Sequence, residues 1–220
     1  MKQLVIFGAG GHAREVAQLV EDINLAQPES WQLAGFLADA DTSVVVSKPL
    51  PAPFLGGAEW LLEHSQTYLT VAIGNSAARQ SVVQRLLRIY PTLQFATLVH
   101  PRAWIAKSVA LGQGCVVFAG SLVNADACLG SFASLNLGVT ASHDCTVGSF
   151  SSLGPGVHLA GAVTLGEAVD VGTGASMRPG VSVGAGAIVG AGAVVVTDLP
   201  AHCVAYGVPA VVKYAADARR

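Results

Sequence analysis

Two hydrophobic patterns divide the chain. Over residues 1 to about 100, short apolar runs alternate with stretches of helical spacing. The run Gln3-Leu4-Val5-Ile6-Phe7 ends at Gly8-Ala9-Gly10-Gly11-His12-Ala13, and the residues after it, through Ala26, place Val16, Leu19, Val20 and Ile23 on one helical face. The pattern predicts a strand, a glycine loop and a helix. A second strand is predicted over Trp31–Leu37, followed by a polar turn at Asp39-Ala40-Asp41. The stretch Pro49-Leu50-Pro51-Ala52-Pro53 reads as a loop, 58–64 as a short helix, and 68–73 as a buried strand ending at Gly74-Asn75. Residues 77–90 return to helical spacing at Val82, Leu86 and Ile89. Such a βαβ order predicts a small parallel sheet with binding loops at the carboxyl ends of its strands.

From Ile105 onward the period is six. Stepping by six from Ile105 through Leu111, Val117 and Leu153 to Val189 and Val195 meets sixteen apolar residues in one unbroken phase, and only Ala141 is as small as alanine. The next residue is often glycine, as at Gly112, Gly130, Gly148, Gly154, Gly166, Gly172, Gly184 and Gly190. The fifth residue of each hexad is small or apolar, from Val109 and Cys115 to Ala193 and Leu199. Each hexad is therefore predicted to be a short strand plus a tight turn, its large and small residues both pointing into a narrow core of stacked flat strands.

Composition sharpens this picture. Charged residues make up 12% of the chain, about half the usual ~25%, and the 25 glycines suit a fold rich in tight turns. The mean hydropathy of +0.54 and the uncharged stretches 145–166 and 179–197 raise the question of a membrane. Both stretches carry Gly, Ser, Thr or Pro every few residues at a spacing of six, which excludes spanning helices. A net charge of −2 and a pI near 6.3 supply no basic field for nucleic acid or anionic lipid. The first apolar run is too short for a signal-peptide core, so a cytoplasmic protein is expected. Cys115, Cys128, Cys145 and Cys203 show no CxxC spacing and read as reduced residues, with neither metal nor disulfide expected.

The hexad tract resembles the left-handed parallel β-helix of the hexapeptide-repeat acyltransferases, in which three hexads make one triangular coil. A narrower resemblance rests on residues Val5 to Ala13 with their glycine loop, Gly35-Phe36-Leu37, Ala72-Ile73-Gly74-Asn75 with Arg79, His100-Pro101, the stretch 136–145 containing His143-Asp144-Cys145, and Gly207-Val208-Pro209-Ala210. In this order, over nearly the whole chain, they resemble the nucleotide-sugar acyltransferases, a family of sialic acid O-acetyltransferases and UDP-4-amino-sugar (bacillosamine-type) or perosamine N-acetyltransferases. The resemblance implies an α/β Rossmann-like half domain over 1–100, a left-handed β-helix over 101–198 and a C-terminal tail over 199–220.

The glycine loop has a mechanism of its own, because glycines let a phosphate approach the backbone while the following helix offers N–H donors and its positive end. The spacing Gly8-x-Gly10-x-x-Ala13 also fits a dinucleotide fingerprint. A dinucleotide fold needs two βαβαβ halves, and about 100 residues hold one, so a nucleotide diphosphate-sugar is the preferred ligand over NAD, with a plain tight turn as the bland alternative. The resemblance places Gly10, Gly11, His12, Asp39, Gly74, Asn75 and Asn136 around that substrate. Ala38 stands where the family has the first of two acids, which leaves UDP, GDP and CMP open.

His143 sits at the third position of its hexad, which is neither of the inward positions. An exposed histidine beside a carboxylate suits a general base, and the resemblance implies that role for His143 with Asp144 raising its basicity; a surface histidine in an oligomer contact is the alternative. Stacking by three hexads places Gly161 one coil beyond, where its N–H could serve as an oxyanion donor. The resemblance matches Thr173 and Ala191, themselves one coil apart, to acetyl-CoA contacts, and Ser152 to a position where the family often has a second histidine. Ser142 and Val211 also depart from the family pattern. His64, His158 and His202 do not stack on His143 by whole coils, so no zinc site is expected, and the inward position of Cys145 argues against a covalent acyl-enzyme. The reading is an acetyl-CoA-dependent N-acetyltransferase of a nucleotide-linked amino sugar of the UDP-4-amino-sugar type, acting by direct attack within a homotrimer whose active sites lie between adjacent subunits. Its alternatives are O-acetylation of a sialic-acid-type sugar and a non-catalytic sugar-binding scaffold.

Overall fold

Strand β1 (Lys2–Phe7) is buried at four consecutive positions, Leu4 to Phe7, the pattern of a parallel strand covered on both faces. The computed structural model describes residues 1–39 and 48–216. In the first of its two units, made of 1–74 and 78–101, β1 is the middle of a sheet with β2 (Trp31–Leu37), β3 (Phe54–Gly56), β4 (Tyr68–Val71) and β5 (Gln94–Phe95), in the order β3-β2-β1-β4-β5. All neighbours are parallel. Helix α1 (Gly11–Ala26) buries Ala13, Val16, Ala17, Leu19, Val20 and Ile23, the helical face expected from the spacing. The chain steps from β1 to β2 and β3 on one side, then crosses to β4 on the other. Loops leaving β1 and β4 therefore diverge at a switch point, where parallel sheets open a crevice.

Local differences from the sequence reading are small. The strand expected over 68–73 ends at Val71, and the helix expected over 58–64 is a 3-10 turn over Ala58–Leu62. Strands β3 and β5 are too short for alternation to show. Helix α2 (Ser76–Ile89) matches the expected span to within a residue at each end. Ala40 and Asp41 of the expected polar turn lie outside the described residues.

The second unit comprises 102–220 together with Asn75–Ala77. Each hexad forms a two-residue strand whose second residue is the inward aliphatic, as in Thr146–Val147, Ser152–Leu153 and His158–Leu159. Every one of these strands pairs in parallel with the strand three hexads away: Leu135 with Leu153, Leu153 with Val171, Ala141 with Leu159, Leu159 with Met177, Val147 with Leu165, and Leu165 with Val183. Successive hexads fall in three different sheets. The chain thus visits each side of a three-sided column once per circuit.

The inward aliphatics from Val117 to Val195 are buried. Ile105 is only half-buried and Leu111 remains 36% exposed, a correction to the expectation that all sixteen line the core. Leu111 belongs to the terminal strand of its sheet, with no further coil stacked below it. At the fifth position, the small polar residues are satisfied by a carbonyl 15 residues ahead: Ser121 Oγ donates to Asn136 O (2.9 Å), Ser151 Oγ to Gly166 O (2.8 Å) and Cys145 Sγ to Ala160 O (3.1 Å). A hydroxyl or thiol is tolerated there because the turn of the next coil accepts its proton.

The column's corners require left-handed backbone. Asp126, Phe132, Asp144, Phe150 and Ala162 have φ between 58 and 62°, a conformation that costs a side-chain-bearing residue roughly 1–2 kcal/mol. Phe132 and Phe150 offset this by stacking ring on ring at 4.9 Å, both buried, since burying an aromatic side chain returns about 1.5–3 kcal/mol. At another corner position, Gly112, Gly130, Gly148, Gly166 and Gly184 form a ladder in which any added Cβ would run into the backbone of the following coil.

Residues expected in a C-terminal tail continue the column. Cys203–Tyr206 pairs in parallel with the strand Ile188–Val189, and Val211–Ala215 folds back antiparallel on it. Val204 lies opposite Ile188. The step there falls short of three full hexads, so a count by sixes loses the strand.

Leu153 is fully buried in mid-column, whereas Leu111 is at its open end. Leu153→Ala is expected to cost about 2–5 kcal/mol and Leu111→Ala less than about 1 kcal/mol, measured as shifts of the denaturant midpoint against wild type.

Candidate active site

In the first unit, the loop after β1 is shaped by its glycines. Gly8 has φ +129°, and a Cβ there would lie 2.7 Å from Ala72 O, so only glycine fits. Gly10 is the N-cap of α1, extended and with no side-chain cap bond. A Cβ at Gly10 or at Gly74 would meet nothing within 4 Å. These two glycines follow adjacent strands β1 and β4 at their carboxyl ends, so both edges of the crevice are bare backbone. The uncapped first turn of α1, beginning at Gly11, is a donor surface for an anion. His12, the next residue, has Nδ1 2.9 Å from Glu15 Oε2.

Asp39 lies two residues beyond β2, and both its carboxylate oxygens accept from Arg85 Nη2, at 2.8 and 2.7 Å. Arg85 is not among the expected site residues, and a separation of 46 positions leaves no sequence signal for it. Arg79 belongs to the sequence motif with Ala72-Ile73-Gly74-Asn75, which assigns it no role of its own. It is 3% exposed, and its Nη1 donates to Ile73 O (2.7 Å) and Gly74 O (3.3 Å). His100 is buried with Nε2 3.0 Å from Asp22 Oδ2, which gives the His100-Pro101 motif a packing use.

In the second unit, His143 and Asp144 occupy a corner. Their side chains are 65% and 60% exposed, and His143 Nδ1 donates to Asp144 Oδ2 at 2.7 Å. Asp144 owes its place to the left-handed turn (φ 59°), which aspartate tolerates better than most side chains. One coil on, a Cβ added to Gly161 would lie 2.6 Å from both Cε1 and Nε2 of His143. The imidazole rests directly on Gly161, and a larger residue there would displace it. Cys145 Sγ is occupied by Ala160 O, and burial pushes its thiol pKa up despite backbone hydrogen bonds that pull the other way. A thiolate nucleophile is disfavoured there.

Thr173 and Ala191 lie on a different corner, one coil apart and exposed, with Gly192 N donating to Thr173 O at 2.8 Å. Asn136 starts a lower turn of that same corner, and its Oδ1 is engaged by Leu137 N at 2.7 Å. Ser152 flanks it on the sheet where Ser134, Ser152 and Asp170 stand in register. Asn75, of the second unit, places Nδ2 3.4 Å from Asp170 Oδ2. The structure therefore unites His143, Asp144 and Gly161, and separately Thr173 and Ala191. The two sets lie on different corners of the column: Gly161 and Thr173, their nearest members in sequence, are two hexads apart, short of the three that would stack them. Among the described residues, no group of three or more His, Cys, Asp or Glu is placed to hold a metal ion, and no helix is long and apolar enough to cross a membrane.

Comparison with known proteins adds to this geometry. Residues 3–86 match the PglD N-terminal domain family. PerB from Caulobacter crescentus, solved with CoA and GDP-perosamine, is 38% identical, with 97% of this chain and 98% of that chain covered and a TM-score of 0.83. The acetyltransferase domain of PglB from Neisseria gonorrhoeae FA1090, solved with acetyl coenzyme A, is 32% identical over 96% of this chain and 99% of that chain, with a TM-score of 0.84. Among curated proteins, the UDP-N-acetylbacillosamine N-acetyltransferase of Bacillus subtilis (strain 168) is 33% identical over 130 residues, 54% of this chain and 52% of that protein. The chain thus matches about half the length of this curated relative.

The contact between imidazole and glycine generates a structural prediction. Gly161→Ala is expected to leave the column folded while moving the His143 ring and lengthening its 2.7 Å bond to Asp144. Imidazole nitrogen NMR shifts read this directly; unchanged shifts would mean that the ring does not depend on the missing side chain.

Proposed function

Because the chain belongs to the family of nucleotide-sugar N-acetyltransferases, we propose that it transfers the acetyl group of acetyl-CoA to the amino group of a nucleotide-linked amino sugar. The observation that carries this reading is the exposed His143–Asp144 pair lying on the bare backbone of Gly161. Acetyl-CoA enters as a co-substrate. The neutral imidazole accepts a proton at Nε2 as the sugar nitrogen forms its bond to the thioester carbonyl carbon. Asp144 accepts from Nδ1 throughout and stabilises the imidazolium that results. The Gly161 N–H, to which no partner is assigned among the described residues, donates to the developing oxyanion. Collapse breaks the C–S bond, and the proton held by His143 passes to the departing thiolate. A buried thiol with a raised pKa at Cys145 supports direct attack over an acyl-enzyme.

The remaining assignments belong to the same proposal. The three-sided column is a left-handed parallel β-helix bearing the acyl-transfer site, and residues 1–100 hold the nucleotide. The acceptor's diphosphate lies on Gly10, Gly11 and His12, with Gly74, Asn75 and Asp39 around the nucleotide and Asn136 on the sugar side. Ser152, Thr173 and Ala191 line the path of acetyl-CoA. Since Thr173 and Ala191 lie a full side of the column away from His143, a pantetheine running along their corner reaches a base supplied by a neighbouring copy. This supports a homotrimer with shared sites, as do the exposed apolar residues Trp104 (54%) and Leu122 (47%), which stand in register on one sheet. Dependence on acetyl-CoA fits the cytoplasm.

Turnover with a panel of UDP-, GDP- and CMP-linked amino sugars, and with a sialic-acid-type hydroxyl acceptor, tests the reaction. His143→Ala is expected to lower turnover by about 10²–10⁴-fold while sedimenting as the same oligomer as wild type; activity within about threefold of wild type would assign the base elsewhere. Asp144→Asn should lower the rate, because the imidazolium formed during the reaction loses the carboxylate that accepts from Nδ1.

At the glycine loop, Gly10→Val has room for its side chain, so its effect reads ligand approach more than folding. It is expected to raise the acceptor KM and leave the acetyl-CoA KM nearly unchanged. An unaltered acceptor KM, or NADH displacing UDP and GDP from the full chain in calorimetry, would overturn the nucleotide assignment.

A further inference from the structure

Arg79 lies in the first turn of α2, 3% exposed, and a guanidinium is rarely so deeply buried without close hydrogen bonding. Its Nη1 donates to Ile73 O at 2.7 Å and to Gly74 O at 3.3 Å. Both carbonyls belong to the loop that leaves β4 at the carboxyl edge of the sheet, beside the strand that carries the glycine loop. Neither peptide precedes a proline, so both take the ordinary trans form. A planar trans peptide points its C=O and its N–H in opposite directions. The Ile73 carbonyl shares its plane with the Gly74 N–H, and the Gly74 carbonyl with the Asn75 N–H. Fastening both carbonyls to a buried guanidinium therefore turns both N–H groups away from the interior. On the outer side of the loop there is room, since a Cβ at Gly74 would meet nothing within 4 Å.

We infer that Arg79 is a positioning residue for the acceptor, whose buried guanidinium sets two peptide planes so that the N–H groups of Gly74 and Asn75 face the diphosphate of the nucleotide-linked sugar. The inference rests on the reading that Gly74 and Asn75 meet the acceptor. It assigns Arg79 no contact with the substrate. One nitrogen shared between consecutive carbonyls, on a rigid planar group buried as a whole, explains why a guanidinium serves where an ammonium would be a poor replacement.

The test uses the full chain. Arg79→Met, similar in length and without donors, is expected to raise the acceptor KM at least tenfold with the acetyl-CoA KM within twofold of wild type, and Arg79→Lys to recover only part of the loss. An unchanged acceptor KM in Arg79→Met overturns the inference, and so does full recovery in Arg79→Lys, which would make charge alone sufficient. If Arg79→Met does not fold, hydrogen exchange on the wild-type chain decides: UDP or GDP is expected to slow exchange of the Gly74 and Asn75 amides at least tenfold. Protection at Gly10 and Gly11 without protection at Gly74 and Asn75 overturns the role of Arg79 and leaves the nucleotide reading standing. No protection at either loop, together with no turnover of any nucleotide-linked sugar, overturns the nucleotide reading and the inference with it.

Discussion

Parallel hydrogen bonding between strands three hexads apart is the constraint on which the second unit depends. A two-residue strand has too few bonds to stand alone, and its stability comes from partners on the coils above and below. That pairing holds every inward aliphatic over its equivalent one circuit away, so Leu135, Leu153 and Val171 form one continuous apolar line. It also fixes what stacks at each corner. His143 lies on Gly161 because the corner residue of one coil must lie on that of the next, and the imidazole is held against a glycine by the same register that builds the core.

The corners carry a conformational cost that the chain meets in several ways. Glycine removes it at Gly138 and Gly156, paired aromatic burial offsets it at Phe132 and Phe150, and aspartate tolerates it at Asp144. The last case joins architecture to chemistry, since the turn that closes the coil also brings a carboxylate to 2.7 Å from the imidazole. Neither side chain packs in the core, so each can be changed without opening a cavity. The energetic demands of the fold and the needs of the candidate reaction fall on different atoms of the same residues.

The first unit meets a different constraint, set by the glycines of the loops that leave β1 and β4. Gly8 is required by a positive φ and by the close approach of Ala72, whereas Gly10 and Gly74 are small where there is space to fill. Glycines with nothing near a would-be Cβ make sense if a ligand occupies the room. Behind the exposed backbone stand two arginines: Arg79 on the carbonyls of 73 and 74, and Arg85 on the Asp39 carboxylate.

Much of this was legible in the sequence. The six-residue phase marked the inward positions, and the third position of its hexad singled out His143 as a side chain outside the core, because in a repeat of uniform step, position in the count is position in space. The same arithmetic predicted Gly161 beneath His143. It failed where the step changed, at the shortened pairing of Val204 with Ile188, and at the open end of the column, where Leu111 follows the pattern without the burial. The same count keeps Thr173 and Ala191 off the His143 corner, since neither lies a whole number of coils away. Tertiary structure alone revealed the partners of Arg79 and Arg85. A buried guanidinium and a cross-sheet ion pair join residues by folded distance, and no period, motif or local propensity in the chain encodes that distance.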